Sequence, residues 1–249
     1  VQVADRDHGT YRVWHMDGTR TAAVVPLEPI ETDLRWQIVA VCDLNGDGQP
    51  DLLWQHRDTG QNCAWIMNGA QRHTIEVPDV TQREPAWRIA GVADLDGDGA
   101  PDWVWHNRDT GIVEVWLMDG GLSPRESRQL GCETDASWTL SGIGGIGRGG
   151  RPGALWRRAD GGALRIWTLV PELTVSVLPA EPDESWLVAG MYELDGHGAW
   201  GLVWRHAGSG ANRVWILKDS GLEEQTALEA VPELRWQIAG IVGSGVTHD

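Results

Sequence analysis

Phenylalanine is absent from this chain of 249 residues, and sixteen tryptophans are its large apolar side chains. Three cysteines, Cys42, Cys63 and Cys132, do not make a disulfide framework. No stretch approaches roughly 18 uninterrupted apolar residues, so nothing reads as a membrane-spanning segment. Basic residues are scarce: 20 Lys and Arg stand against 36 Asp and Glu, a formal charge of −16. That balance argues against nucleic acid, whose binders carry basic stripes that release counterions, and against docking on anionic lipid. A sustained helical period is missing too, so helix should be nearly absent. No G-x-S-x-G elbow, Cys–His signature or H-E-x-x-H occurs, and the reading is of a protein that is not an enzyme. With neither an initiating Met nor a basic-then-apolar leader, the chain is expected to be a mature or excised segment, secreted or at a cell surface.

What is present is repetition. Trp36, Trp87, Trp138, Trp186 and Trp236 each open a copy of one frame: W-x-I-A-G-V, an Asp-rich loop, a hydrophobic pair with Trp, a turn such as Arg108-Asp109-Thr110-Gly111, then V-W-L-M-D-G. Repeats at 36–86, 87–137, 138–185 and 186–235 are whole, and the fifth is divided between 236–249 and 1–35. Within one copy, period-two segments mark strands at 87–93, 101–106 and 112–118, with a weaker fourth within 122–131. Four short antiparallel strands per unit predict a single all-β domain over 1–249. Its expected form is a five-bladed β-propeller of four-stranded antiparallel blades, the ring closed by N- and C-terminal strands sharing one blade. The Trp positions then read as core that fills the wedge between blades. Trp103 and Trp200 fall outside the regular set and are the better candidates for exposed, ligand-binding rings.

The chemistry lies in the loop after the first strand. Asp43, Asn45, Asp47 and Asp51 in one copy, and Asp94, Asp96, Asp98 and Asp102 in the next, place side-chain oxygens at positions 1, 3, 5 and 9. Gln49 and Ala100 stand at position 7, where a backbone carbonyl would serve. Calcium takes about six to eight oxygens at about 2.3–2.6 Å, and this spacing supplies them; magnesium, which keeps its waters, fits less well. In the third copy Gly145, Gly147, Gly149 and Gly153 replace the ligands, so no metal is expected there. The fourth keeps Glu193 and Asp195, a weak metal candidate, and the fifth has no carboxylate before Asp249. Two calcium ions are therefore expected, with a structural job.

These loops and the frame around them resemble the FG-GAP-like or VCBS repeats of integrin α-subunit propellers, propeller lectins and many secreted bacterial proteins. The resemblance runs along the whole chain and is most specific at 43–69 and 94–120. It implies a propeller with calcium loops on one face and partners bound on the other face or between blades; it does not fix a ligand.

One further pattern is fivefold. Asp33, Glu84, Asp135, Asp183 and Glu233 each precede an opening Trp by three residues. They are either turn-capping residues or an acidic ring at the channel mouth that accepts hydrogen bonds from sugar hydroxyls. Being repeated equally, they do not look like an asymmetric acid/base pair. Two binding functions remain open: a lectin-like module that takes glycan at shallow sites between blades, and an integrin-like platform for an extracellular protein.

Overall fold

The structure is a computed structural model that describes residues 2–5, 10–17, 20–29, 31–78, 84–120, 122–146, 151–169, 173–193, 199–218, 221–234 and 236–240. All of its regular elements are strands. In chain order they are β1 (Gln2–Asp5), β2 (Thr10–Asp17), β3 (Arg20–Pro26), β4 (Trp36–Cys42), β5 (Asp51–His56), β6 (Asn62–Asn68), β7 (Gln71–Glu76), β8 (Trp87–Ala93), β9 (Asp102–Asn107) and β10 (Ile112–Met118). There follow β11 (Pro124–Cys132), β12 (Trp138–Ile146), β13 (Arg151–Arg158), β14 (Leu164–Thr168), β15 (Thr174–Leu178), β16 (Trp186–Glu193), β17 (Ala199–His206), β18 (Asn212–Lys218), β19 (Gly221–Leu228) and β20 (Trp236–Gly240).

Each run of four from β4 to β19 is an antiparallel meander hydrogen-bonded in sequence order: β4–β7, β8–β11, β12–β15 and β16–β19. The first strands β4, β8, β12 and β16 pack against one another in succession, so they are innermost and the fourth strands form the rim. Each first strand carries the same register shift two to four residues in, at Ile38/Ala40, Ile89/Gly91, Leu140/Gly142 and Val188/Gly190. A bulge of this kind adds local twist. The hairpin between second and third strands needs glycine for two reasons. Gly111 has φ 73°, a left-handed conformation that glycine adopts without steric cost, and a Cβ there would fall 1.8 Å from the carbonyl oxygen of Glu133. That contact is a clasp between blades, because Glu133 N–H donates to the Gly111 carbonyl at 2.9 Å. Gly210 repeats the arrangement with Val231, in the segment that leads out of the same copy.

Tryptophan fills the wedges. Trp103, Trp105 and Trp116 pack with Leu53, Ala64 and Ile66 of the preceding blade. Trp156 and Trp167 pack with Val104, Val113 and Val115, and Trp204 and Trp215 with Leu155 and Ile166. Within each blade the second- and third-strand rings meet at centroid distances of 4.6 to 4.9 Å. Burying rings of this size supplies most of the apolar stabilisation available to a protein without phenylalanine. Cys42 is a small residue packed against one of these clusters, and burial pushes its thiol up to about 12.

The expectation of a five-bladed β-propeller is corrected here. The fold is an all-β propeller with four complete blades, β4 to β19, and a smaller sheet made from the chain ends. That sheet runs β20-β1-β2-β3, but β1 and β20 are only four and five residues long. Val3 stands where the four blades have Trp54, Trp105, Trp156 and Trp204. In the four blades the second strands are largely buried. One apolar core among the described residues joins Tyr11, Val13 and Leu27 to Trp54 and Trp65.

Two further expectations need correction. Trp103 and Trp200 are 1% and 0% exposed, so neither ring is open to a ligand. They stand two and four residues before Trp105 and Trp204, hence on the same strand face, and they lie in the same apolar clusters.

Candidate calcium loops and channel mouth

In the first Asp-rich loop the chain curls around its own carboxylates. Asp43 accepts from the N–H groups of Gly46 at 2.7 Å, Asp47 at 3.1 Å and Gly48 at 2.7 Å. Asn45 accepts from Asp47 N–H at 3.0 Å, and Asp47 from Gln49 N–H at 2.8 Å. Gly46 and Gly48, at φ 77° and 82°, make the curl possible. Asp51 differs: it is wholly buried, and its two oxygens take Leu44 N–H at 2.9 Å and Met67 N–H at 2.8 Å. It thereby clips the loop to the third strand. Burial pushes its carboxyl up, and these two N–H groups pull it back down.

The second loop repeats this atom for atom at its anchor points. Asp94 accepts from Gly97 and Gly99 at 2.7 and 3.0 Å, Asp98 from Ala100 at 2.8 Å, and Asp102 from Leu95 and Met118 at 2.8 Å each. Asp94, Asp96 and Asp102 bring carboxylate oxygens within 4.8 Å of one another. A hard oxygen set converging at this distance fits a calcium ion. Arg125 also reaches this loop, paired with Asp96 and, at 3.0 Å, with Asp98, so a cation already compensates the cluster. Of the weak candidate pair, Glu193 ends β16 and Asp195 lies outside the described residues. Gly147, Gly149 and the loop after β20 also lie outside them.

The residues three before each opening Trp form entry turns. Trp36, Trp87, Trp138 and Trp186 donate their N–H to the carbonyls of Asp33, Glu84, Asp135 and Asp183 at 2.9 to 3.1 Å. Three of the side chains also cap their own turns, Asp33 on Arg35 N–H, Asp135 on Ser137 N–H and Asp183 on Ser185 N–H. The Arg35 guanidinium holds the Asp33 carboxyl well below the usual carboxylate range. His56 and His206 approach Asp33 and Asp183 at 3.7 and 3.4 Å. Glu233 is exposed, and its carbonyl faces Arg205 at 3.4 Å.

Two sets of residues escaped the sequence reading. Arg165 pairs with Glu133 while its guanidinium lies 3.9 Å over the Trp138 ring, and Arg213 does the same with Glu181 and Trp186. Both arginines occupy one repeat column, and both glutamates stand five residues before an opening Trp. The second set follows the second-strand Trp. Gln55 accepts from Ile89 N–H at 3.2 Å, and Arg157 and Arg205 donate to backbone carbonyls of the next entry turn. At these three positions the column braces a blade to its successor. A column-by-column alignment of the copies carries the signal for both sets.

A family model described as the FG-GAP repeat matches residues 35–61, which span the first entry turn, the first Asp-rich loop and the following hairpin. No curated protein matches the chain. Among solved structures, a luciferin-regenerating enzyme is 12% identical with a TM-score of 0.52, over 93% of this chain and 71% of that one. Virginiamycin B lyase from Staphylococcus aureus is 12% identical, TM-score 0.48, over 92% of this chain and 66% of the lyase. A protein of unknown function from Bacteroides caccae is 9% identical, TM-score 0.48, over 90% of this chain and 72% of that one. Identities this low show a shared fold alone. The FG-GAP match and the propeller fold support a binding or adhesion module, and the structural neighbours include enzymes. No helix among the described residues is long and apolar enough to cross a membrane.

Proposed function

We propose that the chain is a non-catalytic, calcium-stabilised propeller that recognises carbohydrate at shallow sites between blades, outside the cell. The observation that carries the reading is a cleft of about 600 Å³ between β8–β11 and β12–β15, open at the entry-turn face and lined largely by polar side chains. Hydroxyls, carboxylates and guanidinium groups share its walls, as a polyhydroxylated ligand requires. Calcium acts at a distance, holding the Asp-rich loops of the second and first copies. A glycan array probed in calcium buffer and again with chelator tests the proposal. Binding to a defined glycan class supports it, and silence across the array sinks it.

A protein-interaction platform is the second reading, favoured by one observation. Val175 and Val177 on the outer strand of one blade, and Leu173 just before it, are 55%, 77% and 41% exposed. An exposed apolar row on a rim strand is a common docking feature. Capture of an extracellular protein that is lost with Val177→Asp would move the assignment to this face.

A further inference from the structure

The cleft between β8–β11 and β12–β15, about 600 Å³, is larger than the corresponding one of about 310 Å³ at the next interface, and one repeat departs from the others there. In the next two blades the residue after the second-strand Trp is Arg157 or Arg205. Each reaches across to the carbonyls of the following entry turn: Arg157 to Asp183 at 3.1 Å, Arg205 to Val231 at 2.9 Å. The same column holds His106 here. Imidazole is too short for that span and instead lies edge-on to Trp156 at 5.4 Å, which leaves the space open.

Two cations line that space. Arg88 follows the opening Trp of its copy, where the other copies have Gln37, Thr139, Leu187 and Gln237. It is half-buried and donates to the carbonyls of Trp87 at 2.9 Å and Arg57 at 2.5 Å, neither of which neutralises it. Arg108 is on the hairpin. Its counterpart Arg57 pairs with Asp58 at 3.2 Å, and Arg158 pairs with Asp160, but Arg108 has no carboxylate within ion-pair distance among the described residues. Burial first, and then the Arg108 charge, push Arg88 and His106 down, while Asp58 acts on Arg88 in the opposite sense. In a chain of net charge −16, two guanidinium groups beside one cleft with no carboxylate at ion-pair distance among the described residues are a local exception, although the cleft is also lined by Asp109 and by Glu133, which is paired with Arg165. The opposite wall carries Asp135 and the hydroxyls of Thr139 and Ser141.

We infer that this cleft binds an acidic saccharide, a uronate-type sugar whose carboxylate sits against Arg88 and Arg108 and whose ring hydroxyls meet Asp135, Thr139 and Ser141. Guanidinium takes a carboxylate in a two-pronged fork, and adjacent hydroxyls both donate and accept, so each wall has a matching ligand face. The inference rests on the carbohydrate reading above and adds the charge of the sugar and its seat.

The test is calorimetry in calcium buffer with an oligogalacturonate, a neutral oligogalactan of equal length and a polyglutamate peptide. The acidic sugar should bind about tenfold or more tightly than the neutral one, and Arg108→Ala should remove that preference while thermal melting stays unchanged. Arg108→Lys, which keeps charge and loses the fork, should fall between. Equal binding of both sugars, or a preference that survives Arg108→Ala, overturns the inference and leaves the carbohydrate reading standing. Failure of every sugar overturns both. Arg108-dependent binding of the peptide alone assigns the cleft to an acidic protein segment and overturns the saccharide assignment.

Discussion

The first two Asp-rich loops and the corresponding segments of the next two blades fill the same place by different means. At position 9 the former have Asp51 and Asp102, buried carboxylates that clip the loop to the third strand. The latter have Gly153 and Gly201. A Cβ at Gly153 would fall 2.7 Å from Ile146 Cδ1, and one at Gly201 would fall 2.6 Å from the Tyr192 ring. The carboxylate is therefore replaced by an apolar plug from the first strand. The difference separates two jobs that the Asp-rich loop performs at once. Closing the blade top is needed in every copy, and a hydrophobic side chain does it without a charge. Offering oxygens to a cation is needed only where the loop keeps its acids.

The sharpest way to break this comparison is Asp51→Ala or Asp102→Ala. Each strands two backbone N–H groups and should cost on the order of 3 kcal/mol in denaturant unfolding with calcium absent. A loss under about 1 kcal/mol would mean that the clip has no structural role of its own. Next in size is calcium. Titration calorimetry should give about two sites, and free calcium at about a hundredfold over Kd should add about 2.7 kcal/mol per independent site. The stabilisation should vanish in an Asp43→Ala, Asp94→Ala double variant that retains both clips. A stoichiometry near four would show that the glycine-rich loops also bind.

On the apolar side, Gly201→Ala drives a methyl into the Tyr192 ring and should cost roughly 2 kcal/mol by thermal melting. Gly99→Ala sets a useful contrast: no atom lies within 4 Å of its Cβ position, so any loss there reports backbone strain at φ 88° alone. The smallest effect concerns acid. The Ser185 backbone N–H holds the Asp183 carboxyl below its ordinary value of 3.8. Stabilisation from a depressed acid is complete above pH 3.8 and is lost as pH falls towards the lower native value. Asp183→Asn should therefore lower stability slightly at neutral pH, with the difference from the parent chain shrinking as pH falls below 4. A difference that stays the same size into acid would show that the carboxylate's charge has no part in the turn.

Strand positions were largely open to reading from periodicity. β8 and β10 fall at 87–93 and 112–118 as expected, β9 begins one residue late, and β11 shifts to 124–132. Turn glycines and the Asp frame were legible for the same reason, since left-handed backbone and cation ligands each demand particular residue types at particular spacings. The Arg165–Glu133 and Arg213–Glu181 pairs were less so, because each joins two columns far apart in sequence that meet only when the third strand folds over the entry turn.

The amino-acid sequence by itself determined that the chain is a tandem of antiparallel meanders, where each strand and hairpin lies, and which loops hold acids in a calcium register. These are local matters, decided by period, turn chemistry and ligand spacing within about ten residues. Only the tertiary structure decided that Trp103 and Trp200 are core, since period two puts them on the face of Trp105 and Trp204 but does not say how far along the strand the neighbouring blade covers that face. It alone decided that four copies become full blades while the divided copy makes a smaller sheet, because burial there depends on what packs across the chain ends. The cleft beside His106 belongs to the same class: a one-column substitution becomes a cavity only where two blades meet.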